Sequence, residues 1–127
     1  MPASPLDAAI GLHLHEYDAD GAAILRLETT PITLADEAAT FVHGGALATC
    51  MDTAGWYAVV RARPGTYVAI DLRTDFLRLA GPGVYRVTGR ALRAGRTLAV
   101  ADVSVEAWDE PGRPVAVGRV QYLRTGD

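Results

Sequence analysis

The sequence contains no lysine: all twelve of its basic residues are arginines. That excludes a lysine nucleophile and Schiff-base chemistry. Cys50 stands alone, so neither an intrachain disulfide nor a multi-cysteine metal site is available. There is no excess of positive charge. A net charge of −3 and a pI of about 5.5 argue against a nucleic-acid binder driven by bulk electrostatics. The longest apolar run, residues 44–60, is short for a membrane span and is interrupted by Asp52. The stretch Met1-Pro2-Ala3-Ser4-Pro5 lacks a basic region followed by an apolar core, so no signal peptide is expected. No repeat, low-complexity segment or linker divides the chain. What remains is a 127-residue sequence with 50% hydrophobic and 21% charged residues. That suits one domain, residues 1–127, folded around one core. The expectation is a soluble, cytoplasmic protein with no membrane or nucleic-acid partner.

The chain is organised around Phe41-Val42-His43-Gly44-Gly45-Ala46-Leu47-Ala48-Thr49-Cys50-Met51-Asp52. Leu47, Cys50, Met51, Ala54 and Ala58 follow helical spacing, and no proline intervenes before Pro64. A helix is predicted from about Gly44 to Val60. It is apolar almost all round, which predicts burial. An ionisable Asp52 in its middle is then costly unless it has a purpose. It lies too deep to cap the helix start. Ala48 and Gly55, its small neighbours on the same face, leave a gap for a strand or a ligand. Pairing with an arginine across the fold is the alternative role for this acid.

Elsewhere strands dominate. Residues 6–12 hold at most a helical turn or two. Residues 12–17 and 22–29 alternate around the turn Asp18-Ala19-Asp20-Gly21 and read as an antiparallel hairpin. Residues 30–40 read as a loop. Beyond the helix, Val68, Ile70, Leu72, Thr74 and Phe76 are expected on one face of a long strand. Further strands span 84–92, 97–108 and 114–123, and residues 124–127 read as a polar tail. About six strands, with the longest consecutive and joined by short turns, imply antiparallel neighbours. One buried helix is covered on all sides only if the sheet curls around it. The predicted class is α+β: a curved antiparallel sheet wrapped on a central helix. Its open edges and outer face predict edge-to-edge association of two copies.

Here the sequence resembles the hotdog-fold acyl-CoA thioesterases, in particular the phenylacetate-pathway (PaaI-like) type. The carriers are His43-Gly44-Gly45 with Asp52 nine residues after the histidine, the strand Ile70-Asp71-Leu72-Arg73-Thr74-Asp75-Phe76, the Gly95-Arg96 turn, and Gly112-Arg113-Pro114-Val115-Ala116. The resemblance implies the hotdog fold, an acyl-CoA substrate, no cofactor and no metal. It also implies a homo-oligomer, a dimer or a dimer of dimers. In the family the N–H of the first glycine after the histidine holds the carbonyl oxygen, which maps to Gly44. Gly45 lets the acyl group approach, and His43 orients the loop. The acid of one subunit serves the helix start of the other. Distance agrees, since nine helical residues span about 13 Å, too far for Asp52 to reach a carbonyl at its own helix start.

The residue types suit the reaction. Free N–H groups at a helix start stabilise the oxyanion of an attacked thioester. Asp52 is the nucleophile or the general base, and the sequence is compatible with both. Two positions depart from the family pattern. Glu37 stands where many members have Asn or Gln, as a repelling carboxylate or a second acid-base group. Ala69 and Ile70 stand where some have a water-positioning Ser or Thr. Arg93 and Arg96 beside Gly95 are either a phosphate clamp for coenzyme A or a solvated turn. Trp56 and Tyr57 either line the acyl pocket or are simply core. His13 and His15 share a strand face without a third ligand nearby. Two rival readings are a non-catalytic acyl-ligand binding protein, suggested by Glu37 and Ala69, and an enoyl-thioester hydratase or dehydratase of the same fold.

Overall fold

The computed structural model describes residues 4–38 and 40–127. A six-stranded antiparallel sheet in the order β1-β2-β4-β5-β6-β3 carries one long helix, α2, on its inner face. The strands are β1 Leu12–Tyr17, β2 Ala23–Glu28, β3 Thr66–Phe76, β4 Val84–Ala94, β5 Leu98–Ala107 and β6 Pro114–Gly126. The helix α2 is Gly44–Ala62, preceded by a short helix α1, Pro5–Ile10, and a 3-10 turn at Pro31–Thr33.

Burial follows the pleat. Ala23, Leu25 and Leu27 of β2, Val87 of β4, Ala99, Ala101, Val103 and Val105 of β5, and Val120 and Tyr122 of β6 turn inward. They meet Leu47, Cys50, Met51, Ala54 and Ala58 of α2. The helix lies on β4 and β5 at very close range. A Cβ on Gly89 would stand 2.2 Å from the Ala54 carbonyl oxygen, so only glycine fits there. Burial pushes the Cys50 thiol up to about 12, and this cysteine is inert core.

Three expectations need correction. The turn at residues 80–83 does not join neighbouring strands. β3 pairs with β6 at the sheet edge, while β4 lies between β2 and β5. The connecting segment crosses the end of the sheet past the start of α2, tied by Leu77 to Val115, Val42 to Ala80 and Thr29 to Gly83. Second, β3 does not keep one parity. A bulge at Ile70, between the pairs Ala69–Tyr122 and Asp71–Gln121, puts Tyr67 and Ala69 on the inner face before it and Leu72, Thr74 and Phe76 after it. Third, residues 124–126 are not a tail: Arg124 and Gly126 pair with Tyr67 and Thr66, extending β6.

Candidate active site

The start of α2 is closed by its own sequence. His43 is the N-cap with extended backbone, and its Nδ1 accepts a hydrogen bond from the Gly45 N–H at 2.8 Å. A Cβ on Gly45 would come within 3.0 Å of that nitrogen, so the second glycine makes room for the imidazole. His43 thus holds the loop, and the Gly45 N–H is already committed. The N–H of Gly44 has no acceptor among the described residues. The Phe76 ring rests against the Gly44 α-carbon, where a Cβ would be 3.1 Å from it. Glu37 is exposed on the turn before the helix, within the small loop closed by Ala35 N–H to Phe41 and by the Leu34–Val42 bridge.

Asp52 sits two turns further along α2, about 12 Å from Gly44 by helical rise. It is half-buried and lines a pocket of ≈ 380 Å³ with Asp7, Thr53, Trp56, Tyr57, Tyr67, Ala69 and Tyr122. Among the described residues it has no ion pair. The arginine-paired alternative is therefore excluded for this set. Burial raises the Asp52 carboxyl above its ordinary value. The Asp7 charge adds to the rise. The gap beside Asp52 is filled from the sheet. Tyr122 packs on Gly55, and its hydroxyl donates to the Asp52 main-chain carbonyl at 2.5 Å.

One chain therefore brings Asp52, Trp56 and Ala69 together and leaves His43, Gly44, Gly45 and Glu37 at the other end of the helix. Arg93, Gly95 and Arg96 form a third group on the β4–β5 hairpin. The Gly95 N–H donates to the Leu98 carbonyl at 2.8 Å, and the Arg93 guanidinium lies over Gly95. Both arginines are exposed, and neither pairs with a carboxylate among the described residues. Sequence reasoning missed Asp7, Thr53, Tyr67 and Tyr122. The buried Asp7 was visible only as an acid near the start of a short apolar segment. The tyrosines carried no local signal.

A curved antiparallel sheet carried on one long helix is the hotdog fold. A sequence profile of the Thioesterase superfamily matches residues 39–116, and the chain belongs to that superfamily. It is a thioester hydrolase. It is 30% identical to the medium/long-chain acyl-CoA thioesterase YigI of Salmonella typhimurium, over 84% of this chain and 77% of that protein. Among solved structures it is similar to the PaaI protein of the Escherichia coli phenylacetic acid degradation operon. That match has 26% identity, a TM-score of 0.82, and covers 97% of this chain and 86% of the other. It is also similar to a mutant of the Thermus thermophilus phenylacetic acid degradation protein PaaI, with 28% identity, a TM-score of 0.79, and coverage of 95% and 99%. No helix among the described residues is long and apolar enough to cross a membrane.

Proposed function

We propose that the protein hydrolyses an aryl- or medium-chain acyl-CoA. Asp52 of one subunit acts on a thioester carbonyl held by the Gly44 N–H of a second. The observation that carries this reading is the separation of the two groups. A desolvated carboxylate, unpaired among the described residues, lies in a pocket wall, and the amide that an oxyanion needs is about 12 Å away on the same helix. A second copy of the helix start closes that distance. The sheet edge supports such pairing. β3 is an eleven-residue edge strand exposing Val68, Ile70 and Leu72 at 48%, 53% and 40%, an apolar edge that invites a strand from another copy. Edge-to-edge pairing gives a dimer, and two dimers can associate further.

Two routes use the same groups. In one, a carboxylate oxygen of Asp52 bonds to the carbonyl carbon and the thiolate of coenzyme A leaves. Water then cleaves the resulting anhydride to the free acid and Asp52. In the other, Asp52 takes a proton from a water that adds to the carbonyl, and the thiolate leaves as the adduct collapses. Each consumes one water and releases an acid and a thiol. The Gly44 N–H stabilises the oxyanion in both, and losing such a donor costs about 3 kcal/mol. Glu37 belongs to the helix-start half of the site as a second acid-base group. Ala69 and Trp56 shape the acyl pocket, and Gly45 keeps the approach to the helix start open. Arg93 and Arg96 clamp the phosphates of coenzyme A around Gly95.

The test is thiol release from aryl, short and medium acyl-CoAs by wild type and Asp52→Asn. The variant should lose at least about 100-fold in rate while keeping its oligomeric state. Tight binding of acyl-CoA by wild type without thiol release, or an unimpaired Asp52→Asn, would overturn the proposal.

A further inference from the structure

The strand β3 ends on Phe76, and the Ile70 bulge decides where that ring goes. Without the bulge, alternation would carry Phe76 on the outer face of the sheet. With it, Phe76 turns inward and meets the start of α2. The tip of the ring lies over the Gly44 α-carbon: a Cβ there would stand 3.1 Å from Cζ and 3.4 Å from each Cε atom. The chain is pinned around this contact. Phe76 pairs with Ala116 of β6, and the Leu77 N–H donates to the Val115 carbonyl at 2.8 Å. On the helix side, the Val42 N–H donates to the Ala80 carbonyl at 2.7 Å.

Direction gives the contact a chemical meaning. In a helix every Cα–Cβ bond leans toward the N-terminus, and the free N–H groups of the first turn point the same way. A ring standing in the Cβ direction of Gly44 therefore stands beside the approach to its N–H. That amide has no acceptor among the described residues. The ring is not simply core, since Phe76 is 51% exposed, and Leu77 and Leu79 beyond it are 50% and 81% exposed. An apolar wall beside a free amide keeps water from competing for it. A donor aimed at a developing oxyanion stabilises it most where water is excluded and the donor need not move.

We propose that Phe76 is a positioning residue for the oxyanion amide. Its ring fixes the Gly44 N–H and keeps water from it. The ring also favours glycine at position 44, because a methyl group there would push it aside. The proposal rests on the reading of Gly44 as the oxyanion donor.

The experiment measures thiol release from octanoyl-CoA and phenylacetyl-CoA by wild type, Phe76→Ala, Phe76→Leu, Gly44→Ala and the double variant Gly44→Ala/Phe76→Ala, with sedimentation on the same samples. Phe76→Ala should lower kcat by about 10- to 100-fold and leave KM near the wild-type value, because the ring acts on a bond completed in the transition state. Phe76→Leu keeps apolar bulk at the site and carries the test should the alanine variant not fold. It should lose about 3- to 10-fold in kcat. Gly44→Ala should also lower kcat, by displacing the ring, and the double variant should be no slower than Phe76→Ala. Three results each overturn the Phe76 assignment and leave the Gly44 reading standing: a wild-type kcat in a folded Phe76 variant, a raised KM in place of the lowered kcat, or a loss that appears only with dissociation. Single losses that multiply in the double variant also overturn it. No thiol release by wild type overturns both.

Discussion

The two ends of the working part of α2 are built in opposite ways. The helix start is local: three consecutive residues, His43, Gly44 and Gly45, make the cap, the free amide and the room for both. The Asp52 pocket is assembled from a distance, with α1 giving Asp7, β3 giving Tyr67 and Ala69, and β6 giving Tyr122. The amide end is exposed, whereas the acid end is desolvated enough to raise the Asp52 carboxyl. On the proposed reading the two ends are complementary: one carries the desolvated Asp52, the other the free Gly44 amide, and a second copy of the chain would bring them together.

The largest blow to this pairing is Asp52→Asn. Beyond the loss of turnover, it should leave stability equal or higher at neutral pH. A carboxyl whose folded pKa is raised binds its proton more tightly in the folded state. Its contribution is therefore present below the unfolded pKa and lost as pH rises through the folded one. Removing the charge removes that loss, and thermal melts of both proteins at acid and neutral pH check it. Next in size is the sheet edge. Val68→Lys combined with Ile70→Lys places like charges along β3 and should dissociate the assembly and abolish hydrolysis together, read by sedimentation and thiol release on the same samples. A fully active monomer would contradict the two-chain site.

His43→Ala has a smaller reach. It frees the Gly45 N–H and should cost about 1 kcal/mol of stability, measured by urea unfolding. The rate should fall less than in Asp52→Asn, because the Gly44 amide stays. The subtlest change is Tyr122→Phe. The hydroxyl proton is committed to the Asp52 main-chain carbonyl, so its removal should cost about 1 kcal/mol of stability in urea unfolding and leave the acid limb of kcat/KM where it is. In wild type that limb should already lie above the ordinary aspartate value, because burial raises this carboxyl.

What was legible in the sequence follows the same division. The helix, its cap and its lone acid could be read because each is set within a dozen consecutive residues: two glycines after a histidine, and a charge in an apolar run. The six strands were legible from alternation and turn residues. The route of β3 was not. A short turn ordinarily joins neighbours, but residues 77–83 cross the sheet end instead, held by hydrogen bonds to Val115, Val42 and Thr29 that no local pattern announces. The Ile70 bulge reverses the face of half a strand by one residue, which alternation alone cannot show. Asp7 and Tyr122 were invisible as site residues because their role depends on contacts 46 and 70 residues away along the chain.

Subunit mixing probes the pairing of the two ends most directly. Gly44→Pro removes the proposed oxyanion N–H at the first helical position, where proline is tolerated, and Asp52→Asn removes the carboxylate. Each alone should be nearly inactive. Unfolded together and refolded, they should regain about a quarter of the wild-type rate, since half of random dimers are mixed and each holds one complete site. No recovery from mixed dimers shown to have formed would place both groups in the same chain's site and contradict the account.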